Sequence, residues 1–305
     1  MTADAPSQPP AQAQPAPNVD ATAVRQIADG VFVIPDHRVP LVPNVGIIIG
    51  NDAALVIDTG MGPRNGEHVH EAARRLAGGR RLFLTLTHFH PEHGYGAQAF
   101  KGEAIILYNR AQRDELAAKG DAYLGMFRQI FPAAVSDTLA DTRIVMPDIA
   151  YEGPWCEVDL GGRIVELSTA GMAHTRGDQI AFVRPERILF TGDLAEEKTF
   201  PIFPWFPPND TSIDAKNWAA WLAACAELDP AIVVPGHGEV GSVAILNEVR
   251  TYLLDLAREV ATRRKAGMDA DGIVAELAPA VRARYPEWHF PEWIDFAIRY
   301  YSTLG

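Results

Sequence analysis

Short apolar runs rich in β-branched residues alternate along the chain with amphipathic stretches. Val31–Ile34, Val45–Ile49 and Ala53–Ile57 have the length of strands and are separated by turn residues such as those at 50–52. Longer stretches with apolar residues at helical spacing lie between later runs. This alternation predicts an α/β fold. Further strands are predicted at 82–86, 104–108, 163–166, 179–183, 187–190 and 231–234, and helices at 67–76, 110–131 and 215–228.

The pattern becomes purely helical after residue 242, where apolar positions such as Leu246 and Val249 recur at helical spacing. We expect two or three helices here, added to a body in which outer helices enclose two sheets. The predicted organisation is a disordered Ala/Pro/Gln-rich tail over residues 1–20, a body over 21–241 and a C-terminal helical extension over 242–305.

Composition narrows the functional classes. The 305-residue chain has a net charge of −12, which argues against nucleic-acid partners and anionic membrane surfaces. Its two cysteines are too few for a disulfide framework. No apolar run approaches the roughly 20 residues of a membrane span, and the N-terminus lacks the pattern of a signal peptide. A cytoplasmic or a periplasmic location is therefore expected.

Residues 87–94 read THFHPEHG and concentrate potential metal ligands. His88, His90 and His93 stand beside Glu92, directly after the predicted strand at 82–86. Neutral imidazoles and carboxylates are the standard ligands of zinc and related divalent ions. The end of a buried strand is also a common place for functional residues in α/β proteins. The run therefore predicts part of a metal site.

Three later residues occupy similar positions, close to glycine and after an apolar run. They are His174 in GMAHT, Asp193 in FTGD and His237 in PGHG. Glycine lets the backbone turn sharply and lets a metal or substrate approach closely. With the first run, these residues make five histidines and two carboxylates, a set that suits two metal ions sharing an aspartate.

This order of motifs, preceded by VIDTG at residues 56–60, resembles the metallo-β-lactamase superfamily over about residues 31–240. The resemblance implies an αββα sandwich of two mixed β-sheets flanked by helices, with a centre of two divalent ions, most often Zn²⁺ but with Mn²⁺ or Fe²⁺ as alternatives. It implies His88, His90 and His174 as ligands of the first ion, Glu92, His93 and His237 as ligands of the second, Asp193 as the bridge, and Asp58, Thr175 and Asp178 as residues that support the ligands.

Glu92 departs from the family pattern, which has aspartate at this position. The extra methylene lengthens the side chain, whereas metal–oxygen distances tolerate only a few tenths of an ångström. Either the loop relaxes so that Glu92 still binds, or the second ion is held weakly, or Glu92 acts only as a base. We expect two ions, with a looser second site.

The implied chemistry is hydrolysis, because the ions would supply a hydroxide that attacks a carbonyl. Glu92 and Asp193 would orient it, and Tyr108 could stabilise the leaving group. An aspartate at position 193 resembles the lactonase, thioesterase and phosphodiesterase branches, so an ester, lactone or thioester is the expected substrate. The alternatives are β-lactam hydrolysis and an iron-dependent redox enzyme, although the oxygen-reductase pattern has an acid where His90 stands. A non-catalytic binding module has little use for a full ligand set.

Two aromatic segments each have more than one interpretation. Residues 200–208 follow Asp193 and are rich in proline and aromatic side chains. They form either a packed connection or an apolar wall of the substrate pocket, made by Phe203, Trp205 and Phe206. The C-terminal aromatics could pack between helices, cover the site or form a homodimer surface; they are Trp288, Phe290, Trp293, Tyr300 and Tyr301. Asn44 is expected on a loop that contacts a small-molecule substrate.

Overall fold

Two β-sheets form the centre of the protein, whose computed structural model describes residues 15–203 and 212–304. One sheet has seven strands in the order β1-β2-β3-β4-β5-β6-β7, and the other has five in the order β12-β11-β10-β9-β8. Each sheet contains both parallel and antiparallel neighbours, so both are mixed. The strands are β1 (Arg25–Ala28), β2 (Val31–Ile34), β3 (Val45–Ile49), β4 (Ala53–Ile57), β5 (Arg81–Thr85), β6 (Ala104–Asn109), β7 (Ile149–Tyr151), β8 (Trp155–Asp159), β9 (Ile164–Ser168), β10 (Ile180–Val183), β11 (Ile188–Phe190) and β12 (Ile232–Val234).

Helices lie on the outer faces of both sheets. Short 3₁₀ turns at Ala21–Ala23, Ala97–Phe100, Asp137–Leu139 and Gly192–Leu194 link the elements. In the described part of the chain, no helix is both long and apolar enough to cross a membrane. The α-helices are α1 (Gly62–Ala77), α2 (Pro91–Gly94), α3 (Arg110–Ile130), α4 (Ala133–Ser136), α5 (Ala215–Glu227), α6 (Ala244–Lys265), α7 (Ala270–Arg284) and α8 (Trp293–Thr303).

The alternation of side chains along β4 shows how the layers are held together. Leu55 and Ile57 belong to the apolar core between the sheets, whereas Ala54 and Val56 belong to the core beneath α1 and α3. Successive side chains of a strand point to opposite faces, so a strand that is apolar throughout can bury both. A third core lies between the five-stranded sheet and helices α5 to α8. These layers confirm the predicted αββα sandwich.

The C-terminal helices are three, as predicted, and they share one core with the sheet-based body. Val249 and Leu253 of α6 and Leu277 of α7 are buried in the same cluster as Trp218 of α5. The hydroxyl of Tyr301 in α8 donates a hydrogen bond to the carbonyl of Leu253 at 3.1 Å. The extension is therefore packed against the body of the protein and reaches the region of the predicted site.

The strands that the sequence pattern failed to predict are β1, β7 and β8. All three lie at sheet edges and are largely exposed or half-buried, which weakens the apolar signal. The predicted tail also needs adjustment. Its residues 1–14 lie outside the described part, but Val19 is buried and its N–H donates to Asn65 Oδ1. The chain is therefore already anchored to α1 before residue 20.

Candidate metal centre

The predicted ligands all follow strands, and the sheets bring those strand ends to one place. His88 and His90 come after β5, and the short helix α2 carries Glu92 and His93. Asp193 follows β11, and His237 follows the neighbouring parallel strand β12. Parallel neighbours end at the same edge of a sheet, which places these two residues side by side.

The seven residues form two groups that share Asp193. In each group, one potential ligand atom of every residue lies within 4.8 Å of the others. Most of the side chains are buried, and His90 and His237 are half-buried. The first group is His88, His90, His174 and Asp193, and the second is Glu92, His93, Asp193 and His237.

Two distances within the groups match those between ligands of a tetrahedral ion. His174 Nε2 lies 3.3 Å from His90 Nδ1, and His93 Nε2 lies 3.2 Å from Asp193 Oδ1. Metal–nitrogen bonds of about 2.0–2.1 Å would place tetrahedral ligands about 3.3 Å apart. Asp193 Oδ2 lies 3.8 Å from His88 Nε2, whereas its Oδ1 lies 3.7 Å from His237 Nε2. Each oxygen of Asp193 thus faces a different group, as a bridging carboxylate requires.

Several polar atoms of the two groups are buried without a hydrogen bond. Buried polar atoms are nearly always paired, so a cluster of exceptions needs an explanation. Divalent ions would supply the missing partner for all of these atoms, so the residues fit a two-metal centre. Among the described residues, the atoms without a partner are His88 Nε2, His93 Nε2, Glu92 Oε2, and Asp193 Oδ1 and Oδ2.

The outer nitrogen of three histidine rings is held by an acceptor that cannot donate. His174 Nδ1 lies 3.2 Å from the Ile202 carbonyl, and His237 Nδ1 lies 2.8 Å from the Val42 carbonyl. His93 Nδ1 lies 2.9 Å from Asp58 Oδ2. Because these oxygens accept, Nδ1 carries the proton and the Nε2 lone pair points into the group.

Asp58, predicted to support the ligands, accepts hydrogen bonds from the loop after β5. Its Oδ1 accepts from the Thr87 N–H and its Oδ2 from the Thr87 hydroxyl, both at 2.8 Å. The hydroxyl proton of Thr87 is thereby used, so His88 Nδ1, 3.2 Å from Thr87 Oγ1, is the donor in that contact. Asp58 has a φ of +66°, a conformation that aspartate tolerates better than most residues.

Electrostatics favour an ionised bridge. Burial opposes the charge, but His93 and His237 lower the pKa of Asp193 well below its usual range. Burial likewise opposes protonation of His93, yet Asp193 and Asp58 raise the pKa of His93 well above its usual range. Burial, followed by the neighbouring His93 and His90, lowers the pKa of His88. Asp193 is therefore a carboxylate, and His88 is a neutral imidazole.

Glu92 reaches the second group despite its longer side chain. It lies in the first turn of α2, only 4% exposed, and burial raises its pKa. The backbone of this turn is held by hydrogen bonds from Gly94 N–H to the His90 carbonyl and from Thr59 N–H to the His93 carbonyl. Of the three alternatives for Glu92, this geometry favours the one in which it still faces the second ion.

Thr175 and Asp178 stabilise the loop of His174 and not its ring. Asp178 accepts from the Thr175 N–H at 2.8 Å and from its hydroxyl at 2.6 Å, whereas the carbonyl of Ile202 holds the imidazole of His174.

Tyr108 does not occupy the place expected of a leaving-group donor. It is fully buried in the core beneath α1 and α3, and it does not line the cavity described below. A strand residue facing that core cannot reach a substrate.

A cavity of about 300 Å³ opens beside the two groups. His90, Glu92, His174 and His237 lie at its polar end. That volume is at the lower end for small-molecule sites, and apolar walls are typical of them. The apolar part of the wall includes Leu41, Phe127, Ile213, Phe290 and Trp293.

The two aromatic segments divide between packing and the cavity. Phe203 lines the cavity but is 1% exposed and packs on Trp218, so both interpretations hold for it. Trp205 and Phe206 lie outside the described residues. Trp288 and Tyr301 are buried in the helical core, and Tyr300 packs against it, whereas Phe290 and Trp293 reach the cavity wall.

The sequence pattern missed one functional candidate and misplaced another. Glu196 lines the cavity and is 3% exposed, but two adjacent acids in a sequence, such as Glu196 and Glu197, are typical of a solvated surface.

Asn44 was expected to contact substrate. Its side-chain amide instead donates to the carbonyls of Pro235 and Gly238, at 3.0 and 2.8 Å. Asn44 therefore holds the loop that carries His237.

Comparison with known proteins is consistent with this geometry. A family model described as the metallo-β-lactamase superfamily matches residues 38–237. No curated protein matches the chain. Solved structures do match, at identities that show the fold alone. The sec-alkylsulfatase Pisa1 from Pseudomonas sp. has a TM-score of 0.72 and 15% identity, over 92% of this chain and 50% of that one.

Two β-lactamases are also similar to the chain in structure. A metallo-β-lactamase from Pontibacter korlensis has a TM-score of 0.59 and 18% identity, over 76% of this chain and 98% of that one. The DIM-1 metallo-β-lactamase has a TM-score of 0.58 and 16% identity, over 76% and 96% respectively. Both matches leave about a quarter of this chain uncovered.

Proposed function

The chain belongs to the metallo-β-lactamase superfamily, and on that premise we propose that it is a two-metal hydrolase of carboxylic esters, lactones or thioesters that carry an apolar group. The observation that carries the proposal is the position of Asp193. Its two oxygens face two separate sets of ligands at the polar end of a cavity whose wall is partly apolar and partly acidic.

Zn²⁺ is the ion that the donor set suits best, with Mn²⁺ and Fe²⁺ as alternatives. Histidine nitrogens dominate the first group, and the second mixes two histidines with carboxylates. When bound, such ions lower the pKa of a water molecule towards neutrality and polarise a carbonyl oxygen. The protein contributes the fixed positions of the ligands and a cavity beside them.

Glu92 is the residue placed to handle a proton. Its Oε2 is buried without a hydrogen-bond partner among the described residues, next to Asp193 and His93. A carboxylate in that position would orient the attacking water and accept its proton at Oε2. Asp193 is held ionised by its histidine neighbours, and its role is that of a bridge and not of a proton carrier.

The cavity wall supports a substrate with an apolar group. Phe127 and Ile213 come from the sheet-based body, and Phe290 and Trp293 come from the C-terminal extension. An acyl or alkyl chain lying against these side chains would gain about 0.8 kcal/mol per buried methylene. The ester carbonyl would then project towards the histidines.

The charge of the wall supports an uncharged substrate over a sulfate or phosphate ester. Asp36, Glu115, Glu196 and Glu292 line the cavity in addition to Glu92. Arg38 is the one lysine or arginine among the described lining residues, and its guanidinium is already paired with Glu197. An anionic ester would meet these carboxylates without a free basic side chain to offset the repulsion.

The decisive experiment is a substrate panel run on protein of measured metal content. It should contain aryl esters, lactones, thioesters, β-lactams, phosphodiesters and a secondary alkyl sulfate, with His90→Ala as the inactive control. We expect turnover of a carboxylic ester, lactone or thioester by colourless zinc protein. Preferred cleavage of β-lactams or alkyl sulfates would replace this substrate class, and a coloured iron protein without hydrolytic activity would replace the reaction.

A further inference from the structure

Glu196 is a buried acid for which the fold supplies no visible partner. Its side chain is 3% exposed, and it lines the cavity beside the second ligand group. Within the described part of the chain, its Oε1 atom makes no hydrogen bond. A buried carboxylate oxygen without compensation is costly, so its presence calls for a partner that residues 15–203 and 212–304 do not provide.

Other acids that line the cavity have structural roles. Asp36 Oδ2 accepts from the Gly238 N–H at 2.8 Å and so holds the His237 loop. Glu115 accepts from Lys119 Nζ at 2.6 Å and from the Arg176 N–H at 3.0 Å. These contacts explain why both acids are buried. Glu196 differs, because its free oxygen is left for a group in the cavity.

The backbone around Glu196 is fixed between the two segments that carry ligands of the second group. The Glu197 N–H donates to the His237 carbonyl at 2.9 Å, and the Gly236 N–H donates to the Ala195 carbonyl at 3.1 Å. Asp193 lies three residues earlier, in the 3₁₀ turn Gly192–Leu194. Glu196 therefore keeps a constant position relative to Asp193 and His237.

We propose that Glu196 is a positioning residue of the second metal ion, acting from outside the set of direct ligands by accepting hydrogen bonds from the water molecules of that ion. This inference rests on the two-metal hydrolase proposed above. Glu196 does not share the 4.8 Å group of Glu92, His93, Asp193 and His237, so a water molecule is the natural link.

The balance of charge around the two ions also supports a role for Glu196 beside the second ion. Two divalent ions bring four positive charges, and Asp193 and Glu92 together bring two negative ones. In a buried site, uncompensated charge is expensive, and a further carboxylate nearby reduces that cost. Glu92 has a longer side chain than the aspartate of the family pattern, so the second ion depends more on the groups around its direct ligands. Glu196 is one of these groups.

The test compares Glu196→Gln with Glu239→Gln, which removes an equal charge from an exposed side chain close to His237 in the sequence. The affinity of each Zn²⁺ ion is measured by competition with a chelator, and thermal unfolding is measured on chelated protein. We expect the second ion of Glu196→Gln to bind about 10- to 100-fold more weakly, with the first unchanged. The chelated variant should unfold no earlier than chelated wild type, because a buried uncompensated acid has been removed.

Two outcomes would overturn the inference. One is wild-type affinity for both ions in Glu196→Gln. The other is a chelated Glu196→Gln protein that unfolds at a lower temperature than chelated wild type, which would show that Glu196 is needed for folding alone. Glu196→Asp, which keeps the charge, would then show the same loss of stability. If wild-type protein itself binds fewer than two ions, the two-metal proposal fails instead, so the two failures are distinguishable.

Discussion

Nδ1 of His93 lies 2.9 Å from Oδ2 of Asp58, and both side chains are buried. The same carboxylate accepts two hydrogen bonds from Thr87, the residue before His88. Asp58 directly follows β4, whereas His93 lies in α2, so one carboxylate next to a central strand sets the orientation of a ligand on another element. Asp58 thus orients His93 in the second ligand group from the side of the ring that faces away from the group, because its carboxylate holds the proton on Nδ1.

Asp58→Asn tests this relationship with little change in shape. Asparagine tolerates the positive φ of Asp58. Its amide can donate to His93 Nδ1, which would move the ring proton to Nε2 and block metal binding there. We expect the second Zn²⁺ ion to bind about 10- to 100-fold more weakly, as measured by chelator competition. Asp29→Asn, at an almost fully exposed position, is the control; equal affinities in both variants would contradict the role of Asp58.

Glu92 should matter for both metal content and turnover. We expect active wild-type protein to hold two ions, the second more weakly than the first. Glu92→Gln, assayed at saturating Zn²⁺, should lower kcat about 100-fold because the proton acceptor at Oε2 is lost. Metal analysis and steady-state kinetics on the same samples check both statements. A fully active protein with one tightly bound ion, or full activity in Glu92→Gln, would contradict them.

Removal of metal should destabilise the protein. Without ions, the carboxylates of Asp193 and Glu92 and the Nε2 atoms of His88 and His93 stay buried without partners. Each ion present at 100 times its Kd would add about 2.7 kcal/mol to the free energy of unfolding. Thermal unfolding with and without a chelator measures the effect, and added Zn²⁺ should reverse it. His90→Ala should respond less, and an unchanged Tm in chelated wild type would argue against a metal centre.

The C-terminal aromatics should select substrates by chain length. Trp293→Ala combined with Phe290→Ala removes apolar wall from the cavity without touching the ligands. We expect KM for esters with a medium-length acyl chain to rise about tenfold, since loss of two methylenes of burial is worth about 1.6 kcal/mol. Acetyl esters should be affected little. Trp155→Ala, at a tryptophan 56% exposed on the edge strand β8, is the matched control; a uniform loss across chain lengths would indicate damage to the fold.

Asp178→Asn should change the pH dependence of stability. Burial raises the pKa of Asp178 well above its ordinary value of 3.8. When the pKa of an acid is higher in the folded state than in the unfolded state, the acid stabilises the fold fully at pH values below its pKa in the unfolded state. This stabilisation is lost as the pH rises through its pKa in the folded state. Asparagine does not titrate, so the variant should gain on wild type as the pH rises above about 4, the pKa of an unfolded aspartate. Urea unfolding at several pH values measures the difference, and parallel profiles would show that Asp178 titrates normally.

The ligand set and the sandwich could be predicted because their signals are local. Each ligand stands in a short motif that contains glycine, and the runs that form central strands, such as β3 and β4, are almost entirely buried. Edge strands such as β8 carried no such signal, because half of their residues face solvent. The paired acids at 196 and 197 were similarly uninformative, since adjacent acids normally lie on a surface.

The sequence by itself determined which residue types meet a metal, because imidazoles and carboxylates in those motifs serve few other purposes. Only the tertiary structure decided how they are used. It directed the two oxygens of Asp193 to different groups, buried Tyr108 away from the cavity and turned Asn44 to the His237 loop. Among the described residues, it also left Oε1 of Glu196 without a hydrogen bond. These outcomes depend on contacts between segments far apart in the chain, and on which face of a strand or turn each side chain occupies. Local sequence patterns determine neither these long-range contacts nor the face that each side chain occupies.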